Sequence, residues 1–243
     1  LFAGLGATSA VLMLVFKDTI TGLAAGVRLT SNDMLHKGDW ITVKSVDANG
    51  IVEDMSLTTV KVRNFDNTIV TISPITLVNG SFQNWIGMQK SGGRRVKRVV
   101  YFDFRSVRLV DETLKCTLLA KHFATEDSFK LKESLQKAID KDIQEGKDIE
   151  DLKNPAALAP TNLQLYRKFM EKYLRQRPEV NTDLTLMVRH MEATQCGLPI
   201  EFYFFIKDKV WVNYEHILAD IMEHAYALAN EFGLKIYEQY PEQ

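Results

Sequence analysis

Three residues stand where a metal could be held. His216, Asp220 and His224 follow i, i+4, i+8 spacing and share one helical face. Two imidazoles and a carboxylate are a zinc donor set. Eight helical residues rise about 12 Å, however, too far for all three to meet one ion well, so they read as a polar face. Gly4-Leu5-Gly6 resembles the opening of a dinucleotide loop, but no strand precedes it and residue 9 is serine. The chain carries no G-x-x-x-x-G-K-S/T and no G-x-S-x-G. Cys116 and Cys196 form no C-x-x-C pair, and Cys196 has only His190 near it in sequence. Cys196 does not read as a nucleophile, and the sparse use of cysteine fits a reducing compartment. No catalytic residue, no metal and no cofactor is expected, so the chain does not read as an enzyme.

What remains is charge. Lys90, Arg94, Arg95, Lys97, Arg98, Arg105 and Arg108 cluster against a single acid, Asp103. They read either as a solvated edge or as a lining that attracts anions, with Arg94, Arg95, Lys97 and Arg98 at its centre. The whole chain is balanced, with 30 basic and 31 acidic residues and a net charge of −1. Nucleic-acid-binding domains usually run strongly basic, so no nucleic-acid partner is expected. Apolar residues at 46% and charged residues at 25% are ordinary for globular protein.

The elements that must position these groups begin with an uncharged run, Leu1 to Phe16. Because the first residue is Leu1, the chain is read as starting inside a longer one. Sixteen helical residues span about 24 Å, short of a bilayer core of about 30 Å. Seven of the first ten residues are small; glycine and alanine let helices approach closely in a membrane, and glycine costs stability in a helix exposed to water. Ala3, Ala7, Ala10 and Leu14 share one face. The sharper reading is the cytoplasmic end of a membrane helix whose small face meets copies of itself or lines a pore; the plainer one is a buried core helix. Lys17 and Asp18 mark the interface, and Thr19 to Leu29 continues with Gly22, Ala24, Ala25 and Gly26. Arg28, Lys37 and Lys44 place that side in the cytoplasm.

From Trp40 the apolar period becomes two, in Ile41/Val43, Val60/Val62 and Val70/Ile72. Asn49-Gly50 and Asp66-Asn67 read as turns, Pro74 ends the fourth run, and Ser81 to Trp85 is a fifth. Five short strands suggest a small closed barrel or sandwich. Gly92-Gly93 reads as a linker. Beyond it, Val99 to Phe104 reads as a strand, and Thr125 caps a helix with Leu131, Leu135 and Ile139 as its stripe. Gln144 to Asp151 reads as an acidic loop. A second helix carries Tyr166, Phe169, Met170, Tyr173 and Leu174. Leu184–Arg189 and Ile200–Ile206 read as strands joined at Gly197. Asn213 caps a last helix with Ile217, Ile221 and Leu228, Gly233 stops it, and Leu234–Tyr237 is a final strand. This order is the split βαβ pattern, with an insertion near 144–180.

The order of parts resembles the small-conductance mechanosensitive channel (MscS) family, in its YbdG-like branch. Leu5-Gly6-Ala7 through Leu23-Ala24-Ala25-Gly26-Val27 resembles the family's pore helix without a gap. Leu35-His36-Lys37-Gly38-Asp39-Trp40-Ile41 resembles the start of its Sm-like barrel. Gly50-Ile51-Val52 and Ser56-Leu57-Thr58-Thr59 match its next strands, and Pro74 matches the proline after its fourth. The resemblance implies a membrane pore helix (1–35), a small all-β Sm-like barrel (36–89) and an α+β, ferredoxin-like vestibule domain (90–243) with a helical insertion. It implies a multi-pass homoheptamer of the bacterial inner membrane, with the later domains in the cytoplasm. Its partners would be lipid and permeating ions, and it would open under tension to release ions and osmolytes in hypo-osmotic shock. The gate positions fall at Ala3, Ala7, Ala10 and Leu14, and the helix kink at Lys17, Asp18 and Gly22. The chain departs from the family in having Ala10 where a second leucine ring is usual, Asp18 where a kink glycine is common, and Met34-Leu35 in place of Pro-Phe. The competing reading is a soluble module, barrel plus βαβ partner, that binds RNA or protein.

Overall fold

The computed structural model describes residues 2–130, 137, 140, 141, 144 and 159–239, and gives no side-chain surroundings for 2–8. The chain divides into two compact units, Leu1–Ser91 and Gly92–Gln243.

The first unit opens on helix α1, Phe2–Ser31. Five strands come next: β1 (Trp40–Val43), β2 (Ala48–Met55), β3 (Val60–Asn64), β4 (Ile69–Ile72) and β5 (Gln83–Asn84). Helix α2 (Pro74–Asn79) separates β4 from β5, and α3 (Ile86–Lys90) ends the unit. The strands form one antiparallel sheet in the order β4-β3-β2-β1-β5. Its inner face is the alternating set Ile41, Val43, Ala48, Val52, Val60, Val62 and Ile72; Leu29 and Leu35 from the α1 end and Leu77 from α2 complete the core. Two expectations change here. No closed barrel forms among the described residues, because the edge strands β4 and β5 do not pair; Pro74 starts a helix between them, and the helical Leu77 fills the core. Asn49-Gly50 lies inside β2 rather than in a turn. The turn is Lys44–Val46 closed by Asp47 at φ 52°. Gly50 serves close strand approach instead: a Cβ there would stand 1.9 Å from the Arg63 carbonyl oxygen. Asp66-Asn67 does turn, with Asn67 at φ 68° and the Asp66 carboxylate accepting the Thr68 N–H.

The second unit contains β6 (Arg94–Phe102), α4 (Glu112–Ala120), α5 (Asn162–Gln176), β7 (Met187–His190), β8 (Leu198–Ile206) and α6 (Trp211–Glu231). Its sheet runs β6-β8-β7, antiparallel throughout. Inner-face residues Val96, Val100, Phe102, Val188, Ile200, Phe202, Phe204 and Ile206 meet Leu114 and Leu118 of α4, Tyr166, Met170 and Leu174 of α5, and Leu218, Ile221 and Ala225 of α6. The α5 helix and the β7–Gly197–β8 hairpin agree with the sequence reading. Gly233, at φ 67°, closes α6 with the Leu234 N–H reaching back to the Ala229 carbonyl.

Several boundaries move. The strand expected at Val99–Phe104 runs Arg94–Phe102, so Arg94, Arg95, Lys97 and Arg98 lie on a strand. Thr125 precedes a 3-10 turn, Glu126–Phe129, not a long helix; Leu131, Leu135 and Ile139 lie outside the described residues, as do 145–158 of the expected acidic loop and insertion. Gln144 itself is helical. The N-cap of α6 is Val210, and Asn213 lies inside the helix, with its amide donating to Asp208. The last strand reduces to one bridge, Phe102 to Ile236. Helix α4 is unforeseen, although Asp111 accepts the Leu114 N–H as a cap should.

Asn162 ties this unit together. It is wholly buried. Its Oδ1 accepts from the Arg108 and Leu163 N–H groups, and its Nδ2 donates to the Ser106 and Phe232 carbonyls. A buried polar group left without a partner costs about 1–3 kcal/mol. Asn162→Ala strands several at once, and urea unfolding is expected to show a loss of at least about 2 kcal/mol. Asn162→Asp, which turns an acceptor toward two carbonyls, is expected to lose more at neutral pH.

Candidate functional site

Helix α1 holds the candidate pore face. It is continuous from Phe2 to Ser31, and within it Ser9–Ser31 is long and apolar enough to cross a membrane. Val11, Leu12, Met13, Leu14, Val15 and Phe16 are each 52–74% exposed, so apolar side chains cover every side of the helix there. A helix apolar all round belongs inside protein or lipid, not in water. Ala10 and Leu14 are both exposed, and Ala3 and Ala7 lie in the same helix.

The helix changes character one turn past Thr21. Ala25, Gly26 and Leu29 are buried against the rest of the first unit, while Leu23 and Val27 stay exposed. A Cβ on Gly26 would stand 2.2 Å from the Leu57 carbonyl oxygen in the β2–β3 turn. Only glycine lets the helix backbone come that close. Gly22, by contrast, has open space around it. The expected kink residues Lys17, Asp18 and Gly22 are all helical. The Thr21 hydroxyl donates to the Lys17 carbonyl at 2.8 Å, a back-bond that often bends helices.

Beyond the helix, Trp40 stacks on Trp85 at 4.7 Å and meets Phe65 edge-on at 5.3 Å. Asn49 Oδ1 accepts from Trp40 Nε1 and the Thr42 hydroxyl, and that hydroxyl accepts from Trp85 Nε1. These bonds satisfy both indole N–H groups and fix β1, β2 and the segment after β5 in register.

The basic cluster of the second unit is largely committed. The Arg94 guanidinium lies 4.3 Å over the Tyr214 ring, and the Tyr214 hydroxyl donates to the Arg95 carbonyl; burial pushes that phenol up. Lys97 lies 3.7 Å from Glu201, a wholly buried carboxylate that also accepts from Arg189 Nε at 2.6 Å. Arg105 pairs with Asp103, and Arg108 with Asp111. The Arg105 N–H, with the Arg105 and Lys235 charges, holds the Asp103 carboxyl below the usual range; the Leu114 N–H and Arg108 do the same for Asp111. A cleft of about 750 Å³ opens beside them, lined by Asp103, Arg105, Arg108 and Lys235 among others. Arg95 and Arg98, on the same strand as Arg94 and Lys97, are exposed.

His216, Asp220 and His224 do not converge. His224 Nδ1 meets the Asp220 backbone carbonyl at 2.6 Å, and its ring lies 5.8 Å from that of Tyr173. Among the described residues no group of three His, Cys, Asp or Glu could hold a metal. Cys116 and Cys196 are free and exposed.

Residues 18–87 match the family described as the mechanosensitive ion channel β-domain. The small-conductance mechanosensitive channel MscMJ of Methanocaldococcus jannaschii is 34% identical over 84 residues, 35% of this chain and 23% of that protein. The large-conductance channel MscMJLR of the same organism is 28% identical over 128 residues, 52% of this chain and 35% of that protein. This chain therefore spans about a quarter to a third of the length of these relatives. The crystal structure of Helicobacter pylori MscS in its closed state superposes with TM-score 0.60 at 14% identity, covering all of this chain and 71% of that one. The cryo-EM structure of Arabidopsis thaliana MSL1 does so at 0.62 and 10%, covering 96% and 64%. These structures share the fold.

Gly26→Ala is expected to cost about 1–3 kcal/mol, the range for overpacking, because its methyl meets backbone rather than a movable side chain. Gly22→Ala is expected to be neutral or stabilising, since its position is open and alanine is the better helix former. Thermal unfolding of the detergent-solubilised protein separates the two.

Proposed function

We propose that this chain, which belongs to the MscS family of mechanosensitive channels, supplies the pore helix and cytoplasmic part of a channel opened by membrane tension. The observation that carries this is the Val11–Phe16 stretch, exposed and apolar on all sides, running without a break into a helix end seated on a folded β-sheet. A soluble RNA- or protein-binding module would leave that stretch in water.

In this reading seven copies assemble in the inner membrane, and Ala3, Ala7, Ala10 and Leu14 face the axis. A narrow apolar ring dewets, and ions that lose hydration gain nothing in return, so conduction stops without a physical plug. Tension favours whichever state occupies more membrane area. Tilting the helices apart then wets the ring and lets ions and small osmolytes pass during hypo-osmotic shock. Small side chains permit the sliding. The bend that allows the tilt falls at Lys17, Asp18 and Gly22, where the Thr21 back-bond already competes with the helix ladder. The open sheet takes the place of the family's Sm-like domain. The second unit is the ferredoxin-like vestibule domain, and Arg94, Arg95, Lys97 and Arg98 bias it toward anions. The YbdG-like branch rests on the sequence resemblance alone.

Leu14→Ser hydrates the seal and is expected to lower the opening tension in patch-clamp recordings of the full-length protein; an unchanged threshold places the seal elsewhere. Arg95→Gln with Arg98→Gln removes exposed charge while leaving the Arg94–Tyr214 and Lys97–Glu201 contacts in place. The reversal potential in a salt gradient is expected to shift toward cation preference.

A further inference from the structure

We infer that His36 is a proton-sensitive positioning residue that ties the end of α1 to the β-sheet, so that protonating it resists the swing of the helix. This rests on the channel reading above.

The segment joining α1 to β1 is held by a small polar cluster. Helix α1 ends with the Met34 N–H donating to the Leu29 carbonyl and with Asp33 at φ 56°. That left-handed position suits glycine, and an aspartate there carries a conformational cost. A carboxylate at a helix C-terminus also faces the negative end of the helix dipole. Asp33 is thus disfavoured twice, and what it gains is a partner: its Oδ1 lies 2.9 Å from His36 Nε2. The other ring nitrogen, Nδ1, lies 3.9 Å from Asp39 Oδ2. Asp39 is buried, and the same Oδ2 accepts from the His36 N–H at 3.0 Å and from Asn84 Nδ2 at 2.8 Å. Asn84 Nδ2 also reaches the Met34 carbonyl. One imidazole therefore stands between a carboxylate on the helix end and a buried carboxylate anchored to β5.

A neutral imidazole can donate its one N–H to Asp33 at 2.9 Å; imidazolium keeps that contact and adds charge attraction to Asp39, 3.9 Å from Nδ1 and beyond hydrogen-bond reach. Histidine is the side chain whose charge changes between about pH 5 and 8. Among the described residues the ring pairs with Asp33 and Asp39; β5 reaches the cluster through the neutral Asn84 amide, and β2 meets the segment through the Val52 backbone, which bonds Gly38 and Asp39. With the proton on, Asp33–His36–Asp39 is a bridge of alternating charge, helped by the helix C-terminus, which favours a cation. With it off, the Asp39 arm loses its charge pairing.

The test is patch-clamp recording of the full-length protein in liposomes at pH 8.0 and pH 5.5. The opening tension of the wild type is expected to rise at pH 5.5. In His36→Gln, which keeps a hydrogen-bonding side chain but cannot take a charge, the tension is expected to be the same at both pH values. A wild-type tension that is flat or falls on acidification, or a rise that survives in His36→Gln, overturns the bridge while leaving the channel reading intact. Patches silent at every tension and both pH values overturn the channel reading, and the bridge with it.

Discussion

Between Phe16 and Ala25 a single helix passes from a stretch that must be apolar on every side to one that lies on a protein surface. The constraint is where the change falls. Upstream, side chains from Val11 to Phe16 find no partner within their own unit and require lipid or other copies of the chain. Downstream, Ala25, Gly26 and Leu29 are buried, and the approach is so close that the Leu57 carbonyl occupies the place of a Gly26 side chain. The β-sheet is built to receive this helix end: Leu29 and Leu35 are core residues of the sheet as much as Val52 or Val62 are. Remove the helix and the sheet loses part of its own interior.

The basic strand of the second unit obeys a different constraint. Among the described residues β6 lies at the edge of its sheet, paired on one side with β8 and bridged on the other at Phe102. Exposed edges invite pairing with other chains, and lysine and arginine on the edge discourage it. Arg94, Arg95, Lys97 and Arg98 meet that need. Three of them also contact the fold, Arg94 on the Tyr214 ring, Arg95 at 6.0 Å from the Tyr203 ring and Lys97 beside the buried Glu201. Burying a carboxylate is tolerable only with paired charge around it, so Lys97 and Arg189 accompany Glu201. The cluster therefore serves the fold first, and the field it projects comes chiefly from Arg95 and Arg98.

Periodicity carried most of what was legible in the sequence. Alternation at Ile41/Val43, Val60/Val62 and Val70/Ile72 marks true strands because their inner faces fill one core. The stripe Tyr166, Met170, Leu174 marks α5 for the same reason. Turn chemistry misled at Asn49-Gly50, where glycine answers to the Arg63 carbonyl rather than to a bend. Barrel closure was not readable, since alternation gives the faces of strands and says nothing of which edges meet. Helix α4 was missed although its signal was present, Asp111 followed by Leu114 and Leu118. Of the site, the apolar face of α1 was legible from residue type alone. The Gly26 seat and the Asp33–His36–Asp39 cluster were not, because each depends on a partner brought near by the fold: a turn carbonyl for one, the Asn84 amide for the other.

The two attachments of α1 differ in kind, and the difference gives the helix a lever. At Gly26 the contact is steric, backbone against backbone, and yields little. Past Ser31 it is mixed: Leu35 is buried in the sheet core, and beside it a histidine stands between two carboxylates. In a straight helix Leu14 lies about 18 Å from Gly26 along the axis, while Ser31 lies about 8 Å away on the other side. In the proposed channel, a helix that pivots at Gly26 would more than double at Leu14 a sideways movement of its histidine end. A bend near Lys17 and Asp18 would alter the gain but not its direction. On that reading a junction of a few polar side chains bears on the proposed apolar ring, which none of them touches, and the glycine seat transmits the motion.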